Sequence, residues 1–230
     1  MASTKISKSN VVNDLTQTLQ KFDLVELQQY TQEQSYSSTA SKDFHLFYVG
    51  RDDVHDILKY VLSRASVSLY MNMFGFDDDE LNDILMTQAQ DPSITMLITL
   101  DKSQAGGIHE KKLLDSDIAK NPTKFNTYFV IGQSATHQIS HTKGFVADGK
   151  VGGEGSTNWS ASGEGTFVIK GKAGGPGYKA QNNTQTIFTD PDTVSRFQTE
   201  LVAEHMAAKS QQISGQAASG TVGAKVTGKK

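Results

Sequence analysis

The fold and the chemistry of this chain are decided by one segment, which reads His141-Thr142-Lys143-Gly144-Phe145-Val146-Ala147-Asp148 and, after six further residues, Gly155-Ser156-Thr157-Asn158. As a pattern, it is H-x-K, four residues, D, six residues and G-S-x-N. It supplies an imidazole, an ammonium group, a carboxylate, a hydroxyl and a carboxamide within a short stretch. Such groups can attack a phosphodiester and hold its charged oxygens without a metal ion.

The same segment predicts a β-hairpin. Small or polar residues alternate with apolar ones over residues 142–148, and the run 149–152 has the composition of a turn. Residues two apart on a strand share a face, so His141, Lys143 and Phe145 should form one row. His141 and Lys143 are therefore expected to reach the same ligand.

Each polar group in the segment has a plausible task at a phosphate. A neutral imidazole, with an unperturbed pKa of about 6.5, can act as nucleophile or general base. Lys143 supplies positive charge where the phosphoryl oxygens become more negative, and Asn158 donates hydrogen bonds to the same oxygens. A second H-x-K pair, His109-Glu110-Lys111, has Ser116 at the position that matches the aspartate, and no G-S-x-N follows it. We interpret that pair as ordinary helix or loop residues.

The complete pattern resembles the signature of the phospholipase D superfamily, H-x-K-x4-D-x6-G-S-x-N, and Trp159-Ser160 extends the likeness. The resemblance implies a two-step mechanism, in which one motif histidine forms a phosphohistidine and a second histidine protonates the leaving oxygen. The implied catalytic set is His141, Lys143, Asp148 and Asn158, with His141 as nucleophile or acid/base. Lys143, Ser156 and Asn158 would bind the substrate phosphate. Asp148 fits an orienting and structural role better than that of a proton carrier.

The resemblance also implies a homodimer. The chemistry uses two motifs and this chain has one complete copy. Small members of the superfamily, including single-motif bacterial endonucleases, pair two identical chains about a two-fold axis, and such an axis brings copies of one residue together. The expected partner of this chain is therefore itself, with an active site that both copies share.

One position departs from the pattern of the single-motif members. They tend to have Glu-Asn before the last apolar strand, and that glutamate orients a motif histidine. The matching run here is Gln181-Asn182-Asn183-Thr184, so Asn182 stands where the glutamate would be. Asn182 can accept a hydrogen bond from an imidazole but lacks the charge, so Glu154 or Glu164 could take that role instead.

Length and composition favour one domain with extensions. The 230 residues suggest an N-terminal helical extension over 1–40, a catalytic domain over 41–208 and a flexible tail rich in Gly, Ser, Ala and Lys over 209–230. The chain has no cysteine, which excludes a disulfide framework and a thiolate metal site. Its six histidines show no metal-ligand spacing, so no metal and no cofactor are expected.

Charge and hydropathy bear on the partners. The net charge of −3 argues against an overtly basic nucleic-acid binder, but a local groove can be positive on an acidic protein. No run approaches the roughly 20 apolar residues of a membrane span, and the N-terminus lacks an apolar signal core. We therefore expect a cytoplasmic protein, and specialised export stays open.

Hydrophobic periodicity predicts an α/β fold, with helices on both faces of a mixed sheet. The predicted strands are 44–49, 67–73, 94–100, 128–131, 166–169 and 185–188, besides the hairpin. The predicted helices lie within 10–33, from Asp52 or Asp53 through Leu62, after the acidic run 77–80, over 109–119 and from Asp190 onward. The acidic run is interpreted as a helix N-terminus, where negative charge is favoured, in preference to a metal site.

The function that follows is a metal-independent phosphodiesterase, and we favour a nuclease that cleaves DNA or RNA. The single motif, the small size and the lack of a membrane-binding stretch support nucleic acid as substrate. Phospholipid headgroups are the alternative within the same chemistry. A scaffold that keeps the phosphate pocket but is catalytically weak is a third hypothesis, which the asparagine at position 182 makes conceivable.

Overall fold

Strands and helices alternate along the chain in a computed structural model that describes residues 24–104, 108–132 and 139–220, with the side chains of 108–110 and 212–220 excepted. The strands are β1 (Phe44–Tyr48), β2 (Ser68–Met73), β3 (Phe76–Asp77), β4 (Thr95–Asp101), β5 (Thr127–Gly132), β6 (Lys143–Ala147), β7 (Val151–Gly155), β8 (Trp159–Ser160) and β9 (Thr184–Phe188). The helices are α1 (Val54–Leu62), α2 (Asp79–Ala89), α3 (Ile108–Asp115), α4 (Asp117–Lys120), α5 (Pro122–Phe125), α6 (Ala161–Glu164), α7 (Thr166–Ile169) and α8 (Pro191–Gly220), after a 3₁₀ helix at Leu24–Tyr30.

Seven strands form one mixed sheet in the order β1-β9-β7-β6-β2-β4-β5. Strands β2, β4 and β5 are parallel to one another, whereas β6, β7, β9 and β1 each pair antiparallel with their neighbours. The predicted hairpin is the β6–β7 pair, with Phe145 opposite Gly153. A separate parallel ribbon joins β3 to β8. The prediction of a mixed α/β sheet is confirmed.

Helices cover both faces of the sheet. On one face, buried residues of α1 and α2 pack with Met71 of β2 and Phe145 of β6 in the larger core cluster. On the other face, α8 packs Val194 and Leu201 against Val146 of β6. Burial of each such aliphatic side chain stabilises the fold by about 1.5–3 kcal/mol. The core therefore lies in two layers, one on each side of the strands that carry the motif.

The acidic run 77–80 caps a helix, as predicted. The Asp78 carboxylate accepts a 2.8 Å hydrogen bond from the backbone amide of Leu81, which satisfies a free donor in the first turn of α2. Asp53 does the same for α1 through the amide of Asp56, at 3.1 Å. Each cap stabilises its helix by about 1 kcal/mol.

Two local predictions need correction. Residues 166–169 form helix α7 instead of a strand, because Gly165 turns the chain through a left-handed conformation (φ 65°) and its carbonyl accepts from the amides of Val168 and Ile169. The predicted helix over 109–119 is two helices, since the Ser116 side chain accepts from the amide of Ala119 and begins a new one. The β-branched residues at 166 and 168 favour a strand in sequence, but none of the described strands pairs with them.

The ends of the chain lie partly outside the described residues. Of the predicted helix within 10–33, only the 3₁₀ helix is described, and it packs Leu24 and Leu27 into the larger core. Helix α8 continues to Gly220, across the first part of the segment 209–230 for which composition predicts flexibility. No helix in the described part of the chain combines the length and the apolar character that crossing a bilayer requires.

Candidate active site

His141 lies at the edge of the sheet where the parallel strands β2 and β4 end. Strand β2 ends at Met73, and the next residue, Phe74, donates its backbone amide to the carbonyl of Thr142 at 3.1 Å. This bond attaches the residues just before β6 to the end of β2. The carboxyl ends of parallel strands are where α/β sheets hold their ligands.

His141 and Lys143 meet on one aromatic ring. The Phe74 ring centroid lies 4.6 Å from that of His141 and 4.8 Å from the Lys143 Nζ atom. His141 is exposed and precedes β6, so the prediction of a single strand row of His141, Lys143 and Phe145 is wrong in detail. The reason is that residues 139–142 bond to the ends of β2 and β4 instead of continuing the hairpin ladder. The imidazole and the ammonium group nevertheless both contact the Phe74 ring.

The backbone before His141 is held by two buried side chains that the sequence analysis missed. Asp101, at the end of β4, accepts a 2.6 Å hydrogen bond from the Ser140 amide. Asn72, on β2, accepts one of 3.1 Å from the Ser140 hydroxyl. All three residues are at most 2% exposed. The sequence did contain a signal for Asp101, since it is a polar residue directly after the predicted apolar strand 94–100.

Lys143 is a buried cation. It is 3% exposed, and its Nζ atom donates a 2.7 Å hydrogen bond to the His141 carbonyl oxygen. Burial lowers the pKa of Lys143, while the negative charges of Glu154 and Asp101 act in the opposite direction. A desolvated ammonium group interacts more strongly with an anion than an exposed one does, because the local dielectric constant is lower.

Asn158 lies beside the residue that follows Phe74. A Cβ atom on Gly75 would come within 3.0 Å of the Asn158 Oδ1 atom, so the glycine makes room for the carboxamide. That oxygen is buried and has no hydrogen-bond partner in the described part of the protein. The neighbouring Ser156 is tied down, since its hydroxyl donates to Asn183 Oδ1 and accepts from the Thr184 amide, both at 3.1 Å.

Asp148 lies past the other end of β6. Its carboxylate accepts hydrogen bonds of 2.7–3.0 Å from the amides of Ser66, Val67 and Ser68, and another of 3.0 Å from the Ser66 hydroxyl. Asp148 itself has a left-handed backbone (φ 55°) in the turn to β7. The structure thus places Asp148 away from His141, with its oxygens engaged in joining the hairpin turn to the start of β2.

The three residues considered for orienting His141 lie in different places. Asn182 is exposed, and Glu154 is exposed on β7, opposite Gly144. Glu164 is buried and contacts His55. Within the described ranges, no hydrogen bond joins the His141 imidazole to a carboxylate. His109 and His137, the other candidate acids, cannot be placed, since the His109 side chain and residue 137 lie outside what the structure describes.

One cluster among the described residues has the composition of a metal site. Ligand atoms of His55, Asp78 and Glu164 lie within 4.8 Å of one another. The His55 Nδ1 atom and a Glu164 oxygen are in direct hydrogen-bonding contact. An ion bound by both would require them to move apart.

Comparison with known proteins rests on the fold. No family model matches the chain, and no curated protein matches it in sequence. The solved structure of a phospholipase D family member, Nuc from Salmonella typhimurium, is similar with a TM-score of 0.50 and 14% identity, over 70% of this chain and 92% of Nuc. NucT from Helicobacter pylori is similar with a TM-score of 0.50 and 15% identity, over 71% of this chain and 96% of NucT. The chain therefore has the fold of the phospholipase D superfamily, which its H-x-K-x4-D-x6-G-S-x-N signature predicts.

Proposed function

We propose that this protein is a metal-independent phosphodiesterase that works through a phosphohistidine at His141 and acts on nucleic acid. One observation carries the proposal: an exposed imidazole and a buried ammonium group flank the same ring, Phe74, with the Asn158 carboxamide beside the next residue. The fold shared with Nuc supports the same conclusion.

The first step would be attack of the His141 imidazole on phosphorus. A P–N bond forms and the P–O bond to the leaving group breaks, while Lys143 and the Asn158 amide stabilise the equatorial oxygens. The Lys143 charge is fixed in place before the substrate arrives, so little reorganisation is needed as negative charge accumulates. Water then cleaves the P–N bond and regenerates the imidazole.

The leaving oxygen needs a proton, and the proposed source is a second copy of the chain. Within the described residues, no second imidazole lies at this edge of the sheet to supply it. In a two-fold dimer, the partner subunit's His141 would face the first across the axis. It would act as general acid in the first step and activate water in the second.

Nucleic acid is the substrate class that we favour. The chain is small, has one motif, and offers no spanning helix in its described part. The site opens at a sheet edge with His141 exposed, which suits a phosphate that belongs to a polymer.

The test measures turnover of bis-p-nitrophenyl phosphate by the purified protein. Cleavage of DNA, of RNA and of phosphatidylcholine vesicles is then measured in parallel. The proposal predicts turnover of the small diester and cleavage of a nucleic acid. Cleavage of phosphatidylcholine alone would show a phospholipase. Binding of these ligands without turnover would show a scaffold. The asparagine at position 182 and the lack of a described carboxylate bonded to His141 favour that hypothesis.

A further inference from the structure

A buried group of charged side chains lies outside the site described above. The His55 ring, on α1, is 1% exposed. Its Nδ1 atom contacts Glu164 of α6 and lies 3.6 Å from an oxygen of Asp78. Its Nε2 atom lies 3.4 Å from Glu80, in the first turn of α2. One imidazole therefore joins three helices.

The ring has carboxylates at both nitrogens, which favours the doubly protonated imidazolium. Burial alone would lower the pKa of His55, but the hydrogen bond and charge of Glu164, together with Asp78 and Glu80, raise it above the usual range of histidine. The charged groups that face the ring are Glu164 from α6, Asp78 and Glu80 from the start of α2, and Asp53, which caps α1. Lys59 of α1 pairs with Glu80. A buried ion pair of this kind is costly to break, because removal of one partner leaves the other charge uncompensated.

The two carboxylates on the Nδ1 side of His55 follow the two strands of the β3–β8 ribbon. Asp78 comes directly after β3, and Glu164 ends the helix that follows β8. The other end of the ribbon is the candidate active site, where the Trp159 amide donates to the Gly75 carbonyl at 2.9 Å. Asn158 directly precedes β8 and Phe74 lies two residues before β3. The ribbon therefore connects the His55 cluster to two groups of the site.

A close backbone contact strengthens this connection. A Cβ atom on Gly163 would lie 2.1 Å from the Asn158 carbonyl oxygen, so the backbone of α6 packs directly against the backbone of Asn158. Gly163 also donates its amide to the Ser160 hydroxyl at 3.1 Å, and its carbonyl accepts from the Asn183 side chain at 3.0 Å. Since Glu164 is the next residue, the position of its carboxylate helps to set the position of Asn158.

We propose that His55 is a positioning residue for the active site: by holding Glu164 and Asp78, it fixes the ribbon that carries Asn158 and Phe74 at its other end. The inference rests on the proposed function, because it assigns His55 an effect on catalysis through Asn158. His55 itself touches neither His141 nor Lys143 in the described structure.

A double-mutant cycle tests the proposal, with kcat for bis-p-nitrophenyl phosphate as the measurement. His55→Gln removes the positive charge, so it should lower kcat about tenfold to a hundredfold through a small misplacement of Asn158. In an Asn158→Ala background, the same change should lower kcat by no more than about twofold, since the group on which it acts is gone. A general loss of structure would instead give the same factor in both backgrounds.

A matched control is available in His205, a second buried histidine that bonds Thr99 on the opposite face of the sheet. His205→Gln should change kcat by the same factor with and without Asn158. Equal effects of His55→Gln in the two backgrounds, or wild-type kcat in a folded His55→Gln protein, would overturn the proposal. If His55→Gln does not fold, Glu164→Gln takes its place in the cycle, because it keeps the shape and removes the charge.

Failure of the proposed function would be distinguishable. If the wild-type protein turns over no phosphodiester, hydrogen exchange measured by mass spectrometry decides the structural claim. His55→Gln should then raise exchange over residues 74–78 and 158–164 and leave β4 unchanged. Unchanged exchange in the ribbon would overturn the proposal independently of catalysis.

Discussion

The Lys143 ammonium group donates a 2.7 Å hydrogen bond to the carbonyl oxygen of His141, two residues earlier in the chain. The bond ties the buried cation to the backbone of the proposed nucleophile, and both side chains rest on Phe74. In the proposed mechanism, a phosphate attacked by the imidazole meets an ammonium group that the backbone already holds in place. This pre-organisation is the basis of the predictions below.

Lys143→Met should abolish most of the activity and leave the protein folded. Loss of a fixed charge at the developing oxyanion typically costs a factor of about 10²–10³ in kcat. Because the methionine also removes a buried charge, the melting temperature should not fall. Measurement of kcat and of thermal unfolding checks both parts. Lys111→Met, in the second H-x-K pair, is the control and should retain wild-type kcat; a large loss there would argue against the choice of motif.

Asp148→Ala should affect stability and leave the chemistry largely intact. Beyond the end of β6, its carboxylate accepts hydrogen bonds from three backbone amides and one hydroxyl. Because the variant loses these bonds, we expect its free energy of unfolding to fall by about 2–4 kcal/mol. Denaturant titration measures that loss, and kcat at a temperature where the variant is folded should stay within about threefold of wild type. A stable variant without activity would show that Asp148 takes part in catalysis.

His205 should make the protein less stable in mild acid. Burial, aided by the charge of Lys209, lowers the pKa of His205 to about 4 in the folded state, whereas the unfolded value is about 6.5. As the pH falls from about 6.5, His205 takes up a proton in the unfolded chain before it does so in the folded protein. The free energy of unfolding therefore has its full value, as far as His205 is concerned, above pH ~6.5. It falls as the pH approaches 4, by at most about 3 kcal/mol. His205→Gln should flatten the curve of unfolding free energy against pH. Parallel curves for variant and wild type would contradict the assignment.

Much of the fold followed from local patterns in the sequence. Neighbouring residues set the apolar run of β4, the capped starts of α1 and α2, and the Asp148-Gly149 turn of the β6–β7 hairpin. The motif predicted that His141 and Lys143 serve one ligand, and in the structure both side chains contact Phe74. Residues 166–169 were misjudged because β-branched composition favours a strand only where another strand can pair with it.

The supporting contacts of the site could not be read from sequence. The Ser140 amide is 39 positions from Asp101, and the Glu164 carboxylate is 109 positions from His55. Such pairs depend on how the elements pack, and a buried aspartate or histidine has no periodic signature of its own. Glu164 was considered only as a partner of His141, and its contact with His55 explains why it is buried.

Activity should depend on two copies of His141. If wild-type chains and His141→Ala chains are unfolded together in equal amounts and refolded, about one quarter of the dimers will carry two imidazoles. The proposed shared site predicts about one quarter of the wild-type activity, whereas independent sites predict about one half. Light scattering confirms the assembly in the same samples. A fully active monomer would require a second acid in the same chain, and His109 and His137 would be tested first.

The most direct measurement of the central claim is p-nitrophenol release from bis-p-nitrophenyl phosphate in excess EDTA, by the wild-type protein and by His141→Ala. Lysine and asparagine take the place of the cations of two-metal phosphodiesterases in the proposed mechanism. Wild-type protein should therefore turn over with unchanged kcat in the chelator, and the exposed His141 can be replaced without loss of folding but with loss of turnover. Wild-type turnover that stops in EDTA and returns with Mg²⁺ or Zn²⁺, or a His141→Ala variant with near-native kcat, would contradict the account.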